Sequence, residues 1–73
     1  MNMHDRRLPQ PGEAIVEFLQ SDFRVVRTGA YVRCAVTGEP IALEDLRYWS
    51  AERQEAYATA EASLKRYVET RRR

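Results

Sequence analysis

The chain has one cysteine, Cys34, and one histidine, His4, among its 73 residues. That scarcity excludes a good deal of chemistry. No disulfide can close within the chain, and a lone cysteine suits a reducing compartment rather than a secreted scaffold. A structural zinc takes four ligands. The two soft donors stand thirty positions apart, so neither a metal centre nor any other cofactor is expected. The three glycines, Gly12, Gly29 and Gly38, are isolated, so there is no glycine-rich phosphate loop. No apolar run approaches the ~20 residues that cross a bilayer. The early charges His4, Asp5, Arg6 and Arg7 are followed by no apolar signal-peptide core. The expectation is a cytoplasmic protein with no membrane partner. Twelve basic residues nearly balance eleven acidic ones, and a net charge of +1 draws the chain to no polyanion through its global field.

What is present is patterned. Residues 1–13 hold Pro9, Pro11 and Gly12 and read as a flexible lead-in. Residues 14–73 read as a single small domain. A chain of this length buries only ~60% of its unfolded surface. Ala14–Leu19, Phe23–Arg27 and Tyr31–Thr37 are rich in β-branched and aromatic residues, with Ser21-Asp22 and Thr28-Gly29 as tight turns between them. Two-residue turns there place Phe18 opposite Val25, Val25 opposite Val32, Phe23 opposite Cys34, and Arg24 opposite Arg33. One face then carries Val16, Phe18, Phe23, Val25, Val32, Cys34 and Val36, which a one-residue slip would scatter. The second half is built from helix formers, with Ser50 and Thr59 as N-cap candidates. Ala60, Leu64, Tyr67 and Val68 recur at three- and four-residue spacing, a stripe expected to close over the sheet. The predicted fold is α+β: a three-stranded antiparallel meander covered by one or two helices within 50–71.

The candidate sites follow from this register. Cys34 lies between Val32 and Val36 on the apolar face, which makes it an inert core thiol rather than a nucleophile. Glu44, Asp45, Glu52 and Glu55 are ordinary solvated carboxylates on caps and helix surfaces, and no catalytic residue is assigned. Arg24 and Arg33 would face each other on the outer sheet beside Tyr31, an unfavourable pair unless something neutralises it. Glu17, diagonal to Arg24, can do so. An anionic single strand stacked on Tyr31 is the sharper answer. Leu43, Leu46, Tyr48 and Trp49 fall within seven residues. Leu43, Leu46 and Trp49 can plug the end of the core. Arg47, Tyr48 and Trp49 are also the residue types that populate protein-interface hot spots.

Phe23-Arg-Val-Val-Arg, Tyr31-Val-Arg-Cys-Ala-Val-Thr-Gly-Glu-Pro-Ile, Leu46-Arg-Tyr-Trp-Ser and Arg53-Gln-Glu-Ala-Tyr-Ala together resemble a family of short alphaproteobacterial proteins catalogued only as a domain of unknown function. The resemblance spans roughly residues 13 to 68. It implies a bacterial, cytoplasmic, stand-alone small protein, and it supplies no activity, cofactor or catalytic residue. A narrower likeness covers Cys34 to Leu46, which resembles the first knuckle of a TraR/DksA-type zinc finger. Cys34, Gly38, Glu39, Pro40 and Ile41 match that pattern, while Thr37 stands where its second cysteine would be and the later Cys-x-x-Cys is absent. These readings converge on a non-enzymatic protein-interaction module, a monomer or weak homo-oligomer, acting through Arg47, Tyr48 and Trp49. The alternative is a nucleic-acid or ribonucleoprotein accessory protein acting through Arg24, Tyr31 and Arg33.

Overall fold

The computed structural model describes residues 11–71. Most of the expected lead-in, residues 1–10, lies outside them. Six short strands and one helix follow in order: β1 (Ile15–Phe18), β2 (Phe23–Arg27), β3 (Tyr31–Arg33), β4 (Pro40–Ala42), β5 (Tyr48–Ser50), β6 (Glu55–Tyr57) and α1 (Ala60–Arg71). A 3-10 turn, Leu43–Asp45, leads into β5. The strands form three antiparallel ribbons of two, β1–β2, β3–β4 and β5–β6. The class is therefore α+β, as the patterning indicates, but the expected three-stranded meander is replaced by three ribbons.

The difference begins at Thr28-Gly29, which is not a hairpin turn. Gly29 packs its backbone directly on that of Glu13 and Ala14, so closely that an added Cβ would lie 2.4 Å from the Ala14 nitrogen. Ala30 N–H donates to the Gly12 carbonyl and Ala14 N–H to the Tyr31 carbonyl, each anchoring Pro11–Ala14 beside β3. The other edge of β3 belongs to β4, where Tyr31 faces Ala42, Val32 faces Ile41 and Arg33 faces Pro40. Consequently β2 does not pair with β3, and Arg24 does not face Arg33.

The first hairpin does form, with Phe18 opposite Phe23 and Val16 opposite Val25. This is two residues away from the expected pairing of Phe18 with Val25, because the loop holds four residues rather than two. A shift of two keeps every side chain on its face. Phe18 is accordingly buried with Val16 and Phe23 packed against the core, while Val25 stays exposed. Val32 and Cys34 are buried where they pair with Ile41 and Ala56, with Val36 packed against the core. The core also takes in Ala14, Ile41, Leu46, Ala56, Tyr57 and Ala62.

The helical expectation is half met. Thr59 caps α1, its Oγ1 accepting the Ala62 N–H at 3.0 Å. Ser50 caps no helix. Residues 48–57 form the β5–β6 hairpin, despite their helix-forming composition. Ser50 Oγ accepts the Arg53 N–H within its turn, and Gln54 takes a left-handed φ of 55°. The Gln54 amide then reaches β1, accepting from Phe18 N–H at 2.9 Å and donating to the Phe18 carbonyl at 2.7 Å. Intrinsic helix preference amounts to tenths of a kcal/mol per residue and yields to such contacts. The apolar stripe of α1 is the clearest reversal. It does not close over the sheet: Leu64, Tyr67 and Val68 are 60%, 49% and 46% exposed, and the helix buries only Ala62.

Candidate interaction surfaces

Two-stranded ribbons are marginal alone, so the contacts that join them matter. Trp49 on β5 is half-buried and stands between the ribbons. Its indole N–H donates to the Leu19 carbonyl at 2.7 Å. Its ring lies 6.4 Å from that of Phe18, near parallel, and 5.5 Å from that of Phe23, edge-on. Together with the Gln54 clamp, this fastens the first hairpin to the third. Trp49 therefore has its polar handle satisfied internally, while its neighbours Arg47 and Tyr48 are exposed.

Arg24 and Glu17 sit directly opposite each other, and their exposed side chains form an ion pair, with Arg24 Nε donating to Glu17 Oε1 at 3.1 Å. Arg33 lies on a different ribbon. Its guanidinium is 5.4 Å from the centre of the Tyr31 ring and donates to the Gly38 carbonyl at 2.8 Å. The Tyr31 hydroxyl donates to the Pro11 carbonyl. The fold thus separates Arg24 from the Tyr31–Arg33 pair and neutralises it.

After Cys34 the chain makes a tight turn closed by a glycine. Gly38 has φ 80°, and its N–H donates to the Cys34 carbonyl at 2.9 Å. Thr37 N–H points at the Cys34 sulfur, 3.4 Å away. Burial pushes the Cys34 thiol up, but donors from the Thr37 side chain and from the Thr37, Ala58 and Val36 backbone outweigh it, leaving the thiol below its ordinary value. Only 3% of the residue is exposed. Among the described residues no group of three or more His, Cys, Asp or Glu is placed to hold a metal ion; His4 lies outside them.

Three residues carry more of the assembly than the sequence reading assigns to them. Gln54 is the clamp just described. Tyr57, 1% exposed, is the largest fully buried side chain. Its hydroxyl donates to Glu55 Oε1 at 2.9 Å, and burial, followed by that carboxylate, holds the phenol above its ordinary value. Arg66 latches α1 to the body, donating to Glu55 Oε1 at 3.2 Å and to the Ala35 carbonyl at 3.1 Å. Gln54 and Arg66 look like ordinary helix-surface residues in sequence. For Tyr57, the one available signal is a large aromatic inside an otherwise small and polar run.

The polar side of α1, carrying Arg66, therefore faces the protein, and its apolar side faces away. A surface helix ordinarily does the opposite. Arg71 lies over the outward Tyr67 ring, 5.2 Å from its centre, and donates to its hydroxyl at 2.5 Å.

Fold and surface together define a small α+β protein of three ribbons and one outward-facing helix. Residues 25–66 match the model of a family described as an uncharacterized protein conserved in bacteria (DUF2093), and the chain belongs to that family. Searches of curated proteins and of solved structures give no match. Among the described residues no helix is long and apolar enough to cross a membrane.

Proposed function

We propose that this chain is a non-enzymatic protein-interaction module of the bacterial cytoplasm, binding through the outward face of α1. The supporting observation is the reversed helix. Leu64, Tyr67 and Val68 form one exposed apolar stripe at three- and four-residue spacing, the pattern by which a helix enters a partner's groove. Arg47 and Tyr48 are also exposed, on and beside β5, one of the two strands that pack against α1. Trp49 serves this surface from behind, as the wedge that holds β5 in place. In this reading the Cys34–Gly38 turn is a metal knuckle that has lost its metal. Its left-handed glycine and its N–H···S contact persist, and packing of Cys34 in the core does the ion's structural work.

Site-specific photocrosslinking in the native host tests this reading. A crosslinking residue in place of Tyr67 is expected to capture protein, whether another protein or a second copy, and one in place of Glu39 is not. A probe replacing Arg33 is expected to capture no RNA, because Arg24 is neutralised by Glu17 on another ribbon. No protein adduct at position 67 overturns the proposal. An RNA adduct at position 33 favours the nucleic-acid reading through Tyr31 and Arg33 instead.

A further inference from the structure

The outward face of α1 has a property beyond its hydrophobicity: it is complementary to itself. Residues Glu61, Leu64, Val68 and Arg71 recur at spacings of three, four and three. That is the seam spacing of a two-stranded coiled coil. Read from the N-terminus the seam runs acid, apolar, apolar, base. Read backwards it runs base, apolar, apolar, acid.

We infer that the occupant of this face is a second copy of the chain, docked with the two α1 helices antiparallel about a two-fold axis that crosses the outward face at the level of residue 66. The arithmetic is fixed by the sequence. An axis at that point sets Glu61 against Arg71 of the other copy, and Leu64 against Val68, twice each. Both pairs have the same centre, so charge and apolar matches are satisfied in one register. The antiparallel arrangement also sets each helix N-terminus beside the other's C-terminus, the favourable order for their dipoles. A parallel pair would put Glu61 against Glu61 and Arg71 against Arg71.

Arg71, which donates to its own Tyr67 hydroxyl, turns from it to meet Glu61 across the axis; the other charges on the helix agree with this docking. Glu61 has no ion-pair partner among the described residues, so its charge is available across the axis. Lys65, which flanks the seam, is engaged by Glu69 at 3.8 Å within its own helix. Tyr67 lies on the other flank and approaches its own copy near the axis. An interface in which one patch meets itself closes as a dimer and does not propagate into fibres. The helix has 12 residues, about 18 Å of length at 1.5 Å per residue. So short a contact falls short of the ~1,600 Å² that a standard interface buries, and the dimer is a weak one that fills with concentration.

This inference rests on the interaction reading above and specifies its partner. Sedimentation equilibrium of the full chain, from about 10 µM to about 1 mM, tests it. The expected result is a mass rising from one chain towards two across that range. Leu64→Glu, at an exposed position, is expected to keep the helical circular dichroism and to weaken association at least tenfold. Glu61→Arg and Arg71→Glu are each expected to weaken it, and the double swap to restore it. Restoration separates pairing across the axis from helix stability, since each reversal opposes the helix dipole and the double variant carries both penalties. A chain that stays monomeric to the top of the range overturns the inference, as does a dimer indifferent to Leu64→Glu or unrescued by the swap. Monomeric protein whose position-67 probe captures a different protein overturns the second-copy inference and leaves the interaction reading intact. Monomer that co-sediments with phosphatidylserine vesicles overturns the inference in favour of a lipid surface.

Discussion

Cys34 is the residue whose setting tests the core most directly. It is buried, yet its sulfur is aimed at by the Thr37 N–H at 3.4 Å. Replacing it with serine buries a shorter, more polar group in the core cluster, and Cys34→Ser is expected to cost about 1–3 kcal/mol. A thiol reagent should label the native protein slowly and the denatured protein at once; rapid native labelling would contradict the burial. The direction of its titration adds a pH signature. The folded chain holds this thiol below its ordinary value of 9.0. A depressed acid stabilises the fold above its unfolded pKa and loses that contribution as pH falls through the folded one. The stability difference between wild type and Cys34→Ser should therefore widen from neutral pH towards pH 9, measured as thermal midpoints in matched buffers. A difference that narrows over that interval would show that the donors around the sulfur do not act as described.

At the scale of elements, two glycines hold the ribbons in different ways. Gly29 lets two backbones touch, with Ala14 N only 2.4 Å from any added Cβ. Gly29→Ala must push apart Pro11–Ala14 and β3, and about 3 kcal/mol is expected, at the upper end of overpacking costs. Gly38 has open space around it and a φ of 80°. Gly38→Ala pays only for left-handed backbone, about 1–2 kcal/mol. Urea unfolding of the two variants gives the comparison, and equal losses would show that the close crossing at Gly29 is not rigid. The same scale explains why β5–β6 escaped a reading from composition. Ala51 to Ala58 contains good helix formers, but Gln54 spends its side chain on the Phe18 backbone and its φ on the turn. Neither use is visible in a local window.

For the whole molecule, so small a core needs further contacts to join its ribbons. Cys34, Ala56 and Tyr57 lie together at the junction of the second and third ribbons, joined by a parallel bridge between Cys34 and Ala56 and by the Ala35 N–H donating to the Ala56 carbonyl at 2.8 Å. Arg66 ties α1 to the same junction through Glu55 and the Ala35 carbonyl. Packing and this network are expected to suffice. Purified protein should carry no stoichiometric zinc by elemental analysis, and its circular dichroism and thermal midpoint should be unchanged by EDTA. Loss of structure in chelator would mean that the fold depends on a metal.

Local pattern determined the parts that depend on periods of two and on single caps. The alternation around Phe18 and Phe23 put them inside despite a two-residue error in pairing, because the pleat repeats every two residues. Val32 and Cys34 keep a shared face within their own segment, although its partner is β4 rather than β2. Thr59 as a helix cap was legible for a similar reason: a cap acts on its own first turn. Pairing partners were not legible, because which strand lies beside β3 depends on the approach of residues 11–14 to Gly29, across a separation no local pattern encodes. The orientation of α1 was not legible either. Its apolar stripe is plain in the sequence, but only the tertiary structure shows which side faces the protein. Ala62 and the Arg66 latch take the inner side, and the stripe is left to the outside.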